Sequence, residues 1–157
     1  MPYLIDGNNL LGHIFPTSFR EKQSKFNLIY DLFIFQRRKR TRVSVVFDGR
    51  AEPGLEKFQK KKFSIIYPPL GQNADGMIKD IISNETDLRR FFVISSDQEI
   101  KRFAKSKGAK TLSSKDFSRE LKTILKENRR FQEFQKKVSE LSPLEIDHWL
   151  MIFKNRK

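Results

Sequence analysis

The chain has 157 residues, enough for one domain with its own core and short for two. A 38% hydrophobic content with 15 Phe excludes a disordered tail, and the absence of cysteine excludes disulfides and thiolate metal sites. A formal net charge of +13, from 32 Lys+Arg against 19 Asp+Glu, points to a polyanionic partner, nucleic acid before a membrane surface.

Tyr3-Leu4-Ile5 reads as a buried strand stopped by a turn at Asp6-Gly7. Ser18-Phe19-Arg20-Glu21 has the form of a capping box, and Phe26, Ile29, Tyr30, Phe33 and Ile34 follow at helical spacing to about residue 39. Val43 to Phe47 is a second strand, stopped by Asp48-Gly49, and Phe63 to Tyr67 a third, ended by Pro68-Pro69. Asn73 and Asp75 are candidate caps of a helix carrying Met77, Ile78, Ile81 and Ile82. Phe91 to Ile94 is the fourth strand. Ser96-Asp97-Gln98-Glu99 reads as another capping box, opening a helix that Gly108 ends. Ala109 to Leu112 is a weak fifth strand, and Ser113-Ser114 starts a helix with Phe117, Leu121, Ile124 and Leu125. Residues 126–140 read as a basic amphipathic helix, and Ser142-Pro143-Leu144-Glu145 as the cap of a last one through Trp149 and Phe153. Strands rich in Val, Ile and Phe alternating with helices predict an α/β fold with a mainly parallel central sheet.

In such a sheet the carboxyl ends of the strands share one edge, where open α/β folds bind ligands. Asp6, Asp48 and Asp97 each follow a strand within two residues, and Asp75 begins the helix after the third. Singly, each is an ordinary turn or cap residue. Together they form an acidic edge whose mutual repulsion a hard cation such as Mg²⁺ or Mn²⁺ would offset. Phosphodiester hydrolysis suits that arrangement. The basic residues cluster at Arg37-Arg38-Lys39-Arg40-Thr41-Arg42, at Lys57 with Lys60-Lys61-Lys62, and along Lys101 to Lys137. Arg37, Arg38, Arg40, Lys60, Lys61, Lys79 and Lys101 are the candidate RNA contacts, expected to flank the cleft. His13, expected in the loop after the first strand, and His148 carry no specific signal.

Leu4-Ile5-Asp6-Gly7-Asn8-Asn9-Leu10-Leu11 resembles the opening D-G-x-N motif of the NYN domains, in particular the YacP-like group of the PIN-like nucleases. Val45-Val46-Phe47-Asp48-Gly49 resembles the family's strand ending in F-D, Asn73-Ala74-Asp75-Gly76-Met77-Ile78 its A-D-x-x-I helix start, and Val93-Ile94-Ser95-Ser96-Asp97 its strand ending in S-D. The four occur in the family's order across residues 3–121. The resemblance implies a Rossmann-like PIN/NYN domain over 1–125, with 126–157 as a basic helical extension packed on or next to it. It implies Asp6, Asp75 and Asp97 as metal ligands, Asn9 as an orienting residue, and Asp48 as an outer ligand or a base behind the ligands; Asn8 falls at the variable position. Family members often carry an acidic residue one helical turn after the A-D aspartate. Lys79 stands there instead, with Asp80 about 100° further round the helix.

The function expected is metal-dependent endonucleolytic cleavage of single-stranded or loop RNA with Mg²⁺ or Mn²⁺. By resemblance to the YacP-like type, mRNA or rRNA and the ribosome are the expected partners. Lys79 keeps open an alternative, a catalytically weak or inactive RNA- or ribosome-binding adaptor. A metal-dependent phosphatase of small molecules suits the carboxylates but leaves the charge of +13 unexplained. The amino terminus does not read as a signal peptide, and no apolar stretch approaches the roughly 20 residues of a membrane span. A soluble cytoplasmic protein with no membrane contact is the expectation.

Overall fold

A computed structural model describes residues 2–140 and 143–154, without the side chains of Glu145, Ile146, Trp149 and Phe153. The Ser142 cap and the side chains of Trp149 and Phe153 therefore fall outside what is described. In chain order the elements are β1 (Tyr3–Asp6), α1 (Gly7–Ile14), α2 (Lys22–Lys39), β2 (Val43–Val46), β3 (Phe63–Ile66), α3 (Ala74–Asn84), β4 (Phe92–Ile94), α4 (Gln98–Ser106), β5 (Lys110–Leu112), α5 (Ser114–Ser139) and α6 (Pro143–Lys154). All strand pairings are parallel and the order is β3-β2-β1-β4-β5. Ile5 stands opposite Val45 on one side and Ile94 on the other. The chain leaves β1 first towards β2 and later crosses back to β4, so the strand order reverses between β1 and β4. In open parallel sheets that reversal opens a crevice at the carboxyl edge.

The alternation of side chains along each strand divides the core in two. Tyr3, Ile5, Val43, Val45, Phe63 and Ile94 pack with Leu10, Leu28, Leu32, Phe35, Phe117 and Leu121 of α1, α2 and α5. Leu4, Val46 and Val93 pack on the other face with Ala74, Ile78, Ile82, Ile100 and Ala104 of α3 and α4. Each fully buried Leu, Ile or Phe contributes roughly 1.5–3 kcal/mol, which outweighs the modest helix propensity of these segments. Gln59 covers the open edge of β3: its Nε2 donates to the Ile65 carbonyl at 2.7 Å and its Oε1 accepts from the Ile65 N–H at 3.1 Å. Among the described residues no helix is long and apolar enough to cross a membrane.

Four local expectations change. Asp6-Gly7 does not turn away from the sheet but starts α1, so His13 lies in that helix's last turn, exposed, rather than in a loop. Helix α2 begins at Lys22, not Ser18, whose hydroxyl instead accepts from the Ser24 hydroxyl at 2.9 Å. The face of α2 in the core is Leu28, Leu32 and Phe35 together with the expected Ile29, while Phe26, Tyr30 and Phe33 form a second apolar stripe that meets Phe58 edge-on. The two helices expected either side of residue 126 are one, because no Gly or Pro interrupts Ser114–Ser139. The boundary between 1–125 and 126–157 thus lies inside α5.

Candidate active site

The site is built on the crevice between β1 and β4. Asp6 is the last residue of β1 and the N-cap of α1, and burial leaves it 5% exposed. Its Oδ2 accepts from the Ser95 hydroxyl at 2.9 Å, and its Oδ1 from the Asn9 N–H at 3.4 Å. α1 can start this close to the sheet only because residue 7 is glycine: a Cβ there would stand 2.7 Å from both Phe47 Cε1 and the Val46 carbonyl oxygen. Burial pushes the Asp6 carboxyl up to about 6; the Ser95 and Asn9 bonds pull against it, while the negative charges of Asp75 and Asp97 add to the rise.

Asp97 caps α4, with Oδ1 accepting from the N–H groups of Glu99 (2.9 Å) and Ile100 (3.2 Å). Its own N–H donates to Ser95 Oγ at 3.1 Å, so one buried serine hydroxyl joins Asp97 to Asp6. The expected capping box is therefore shifted by one residue: Asp97 is the cap, and Ser96 Oγ accepts from the Ser114 N–H at the start of α5. Asp75 lies in the first turn of α3, which Asn73 caps through the Gly76 N–H at 2.8 Å. The Asp75 carboxyl is raised by partial desolvation, then by the charges of Asp97 and Asp48, while Lys79 lowers it. Asp48 is tied at both ends, with its Oδ1 accepting from the Ala74 N–H at 2.6 Å and its N–H donating to Asn8 Oδ1 at 2.7 Å.

Asp6, Asp48, Asp75 and Asp97 thus share the carboxyl edge, where the charges of Asp75 and Asp97 act on Asp6 and those of Asp97 and Asp48 on Asp75. Asn9 is at the same edge but turned towards the protein: its Oδ1 accepts from the Ser96 N–H at 3.0 Å and the Ser114 hydroxyl at 2.6 Å. It clamps the starts of α4 and α5 to α1. Lys79 reaches across from α3 to α4, its Nζ on Glu99 Oε1 at 2.5 Å. Glu99 and, more weakly, Asp75 and Asp97 hold the Lys79 ammonium above its ordinary range. Asp80 does not replace the missing carboxylate, because it accepts from Gln72 Nε2 at 2.7 Å on the outer side of α3. Lys101 is one turn further along α4.

The remaining basic candidates do not flank this edge. Arg37, Arg38 and Arg40 end α2, immediately before β2 begins, and Lys60 and Lys61 sit on the tight turn that leads into β3. Both segments are at the amino edge. Four residues of strand at ~3.3 Å each put roughly 13 Å of sheet between that edge and the aspartates. A helix that follows one parallel strand and feeds the next must return to the opposite edge, so a basic run just before a strand lies away from residues just after one.

Sequence reasoning overlooked Ser95, Ser114 and Asn8. The first two are small hydroxyls beside a recognised motif, detectable only once the strands are in register, and Asn8 supplies the bond that fixes the Asp48 backbone. Among the described residues no three Asp, Glu or His side chains meet as a ready-made metal cage. The donor set still suits a hard cation, which takes one or two carboxylates and completes its shell with water and phosphate oxygen. Asp75 is exposed at the first turn of α3, and Asp6 and Asp97 keep unused lone pairs.

A model of the YacP-like NYN domain matches residues 3–149. A crystal structure of Rae1 (YacP) from Bacillus subtilis superposes with a TM-score of 0.68 at 26% identity, covering 99% of this chain and 91% of that one. A single-substitution mutant of the same Bacillus subtilis protein gives 0.67 at 22% identity, over 94% and 89%, a likeness of fold. No curated protein matches the chain.

Proposed function

The chain belongs to the YacP-like NYN domain family, and we propose that it is a metal-dependent endoribonuclease cutting single-stranded or loop RNA. The family supports a nuclease-like, RNA-related role, and PIN-like NYN nucleases are generally dependent on divalent metal. The observation that carries the reading is the state of Asp6, a buried carboxylate at the β1/β4 crevice whose proton affinity two neighbouring carboxylates raise. Such a group is costly to the fold, and its cost is relieved by a cation at that spot.

In this reading Asp6, Asp75 and Asp97 hold Mg²⁺ or Mn²⁺, which when bound supplies a polarised water and offsets charge on the phosphate. The chain's own residues do the rest. Ser95 fixes the rotamer of Asp6. Asp48 fixes the N-terminus of α3 through Ala74 and so sets where Asp75 stands. Asn9 locks the edge by tying α4 and α5 to α1. Lys79, one turn after Asp75 on α3, and Lys101, one turn after Asp97 on α4, take phosphate oxygens of the strand. Without the ion the Asp6 carboxyl lies near 6, so below neutral pH protons compete with the metal for it. The described residues from 126 onwards serve as a basic extension of the nuclease unit, the ribosome or its mRNA or rRNA supplies the substrate, and the protein works in the cytoplasm.

The test is cleavage of a labelled single-stranded RNA with Mn²⁺ by the wild type, Asp6→Asn and Asp97→Asn. Activity lost in both variants, with RNA binding kept, supports the nuclease. Equal cleavage by all three sinks it. Binding without cleavage by the wild type favours the adaptor reading, for which the Lys79–Glu99 bridge across the acidic edge is the supporting observation.

A further inference from the structure

Where α5 lies against α2, two adjoining grooves run along their seam. One, of about 550 Å³, is bordered by Tyr30, Asp31, Ile34, Lys122, Lys126 and Arg129. The other, of about 480 Å³, is bordered by Phe33, Arg37, Arg38, Asn128 and Phe131, and shares Tyr30 and Ile34 with the first. Lys122, Lys126 and Arg129 recur at i, i+4 and i+7, so they line one face of α5. Among the residues bordering the two grooves, five cations therefore face a single carboxylate, Asp31. Among the described residues none of the five takes part in an ion pair, whereas Lys25, Lys39, Arg42, Lys79, Arg89 and Arg119 all do.

The arginines are also oriented. The Arg37 guanidinium lies over the Phe33 ring at 5.9 Å and that of Arg38 over Phe131 at 5.5 Å. A guanidinium over a ring face still has N–H groups to offer phosphate oxygens. Beside them Tyr30 is 49% exposed, large for an aromatic side chain set in a groove.

We propose that this double groove is a second RNA-contact surface, separate from the acidic edge, which grips the backbone of a single strand with Arg37, Arg38, Lys122, Lys126 and Arg129 and stacks an unpaired base on Tyr30. Unpaired phosphates match the unpaired cations, and a base in a duplex has no free face to offer Tyr30. The surface gives the basic middle of α5 a role and accounts for the α2 arginines that the sheet topology keeps away from the acidic edge. It rests on the reading that the ligand is RNA.

Binding is measured by fluorescence anisotropy with a labelled single-stranded RNA across a salt series, in the Asp6→Asn background so that the RNA stays whole. Lys122→Gln/Lys126→Gln/Arg129→Gln lowers affinity at least roughly tenfold at low salt, and reduces the slope of log K against log salt by about 2, at ~0.7 for each phosphate no longer neutralised. Lys105→Gln/Lys107→Gln/Lys110→Gln, which removes equal charge at the far end of α4 and the start of β5, changes the slope by less than half as much. Tyr30→Leu weakens single-stranded RNA roughly 5- to 150-fold and spares duplex RNA. Circular dichroism and melting confirm that each variant folds. Equal effects of the two triple variants, an unchanged slope in the first, or equal loss for single strand and duplex in Tyr30→Leu would each overturn the proposal. Wild-type cleavage is scored separately: cleavage with an inert groove rejects the surface alone, and a groove that binds in a protein that does not cut rejects the nuclease alone.

Discussion

Replacing Asp6 by Asn should make the protein more stable and inactive at once, and the pH dependence of the gain follows from the burial of this side chain. The carboxyl is raised from 3.8 to about 6 in the folded chain. A raised carboxyl favours the native state fully below the unfolded value and loses that contribution as pH climbs through the folded one, since between the two the native state holds a proton that the unfolded chain has released. At about 1.36 kcal/mol per pH unit the loss is about 3 kcal/mol between pH 4 and pH 7. Asn keeps the shape without the charge, but disrupts the bond accepted from Ser95, at a cost of about 1 kcal/mol. Asp6→Asn should therefore be about 1 kcal/mol less stable than the wild type near pH 4 and about 2 kcal/mol more stable at pH 8. For a domain of this size the gain is a melting point roughly 4–8 °C higher. Urea or thermal unfolding of both proteins in chelator, at pH 4, 6 and 8, measures it. A difference that stays constant across the series would refute the argument, because only titration of Asp6 makes it change sign. Added Mn²⁺ should raise the wild-type midpoint at pH 8 and leave that of Asp6→Asn nearly unmoved.

Gly7→Ala should lose roughly 1–3 kcal/mol in denaturant unfolding, because its Cβ meets the Phe47 ring and the Val46 carbonyl at 2.7 Å; a neutral result would show that α1 can shift away from β2. Asn9→Ala should cost roughly 1–3 kcal/mol, since it leaves the Ser96 N–H and Ser114 hydroxyl without their acceptor, while Asn9→Asp keeps an acceptor and loses less. Equal losses in the two variants would show that Asn9 matters through its amide N–H₂ instead. Lys79→Gln removes the nearest cation to Asp75, so the Asp75 carboxyl rises further, Mn²⁺ binding tightens a few-fold, and RNA affinity falls. Calorimetric titration showing weaker Mn²⁺ binding would mean that Lys79 organises the carboxylates rather than opposing the ion.

The strands and their acidic ends were legible because both leave periodic marks. An apolar run of four or five residues stopped by Asp or Ser is visible in one dimension, and parallel pairing then puts every stop on one edge. What was not legible depends on distances across the chain. Asp6-Gly7 reads locally as a turn; only contact with Phe47 and Val46, some 40 residues on, shows that the glycine brings a helix start against β2. Ser95 looks like any small residue before an aspartate, until β1 and β4 are in register and its hydroxyl bridges Asp6 and Asp97. The basic runs were misplaced for a topological reason: charge clustering in sequence carries no information on which edge of a sheet the cluster reaches. Asp80 shows the limit of angular reasoning on a helix, since a residue 100° from the expected position found a partner in Gln72 and turned outwards.

The pairing of Gln59 with β3 has a consequence beyond fold geometry. β3 is the outermost strand on its side, and an outer strand of Phe, Ser and Ile residues offers its free amides and carbonyls to any passing chain. The Gln59 side chain presents one acceptor and one donor to Ile65, much as an adjoining strand would, and ends there. It thereby occupies the central rung of the exposed edge without continuing the ladder, and Lys60, Lys61 and Lys62 stand charged beside it. A single amide and a lysine turn thus guard this side of the sheet against edge-to-edge aggregation.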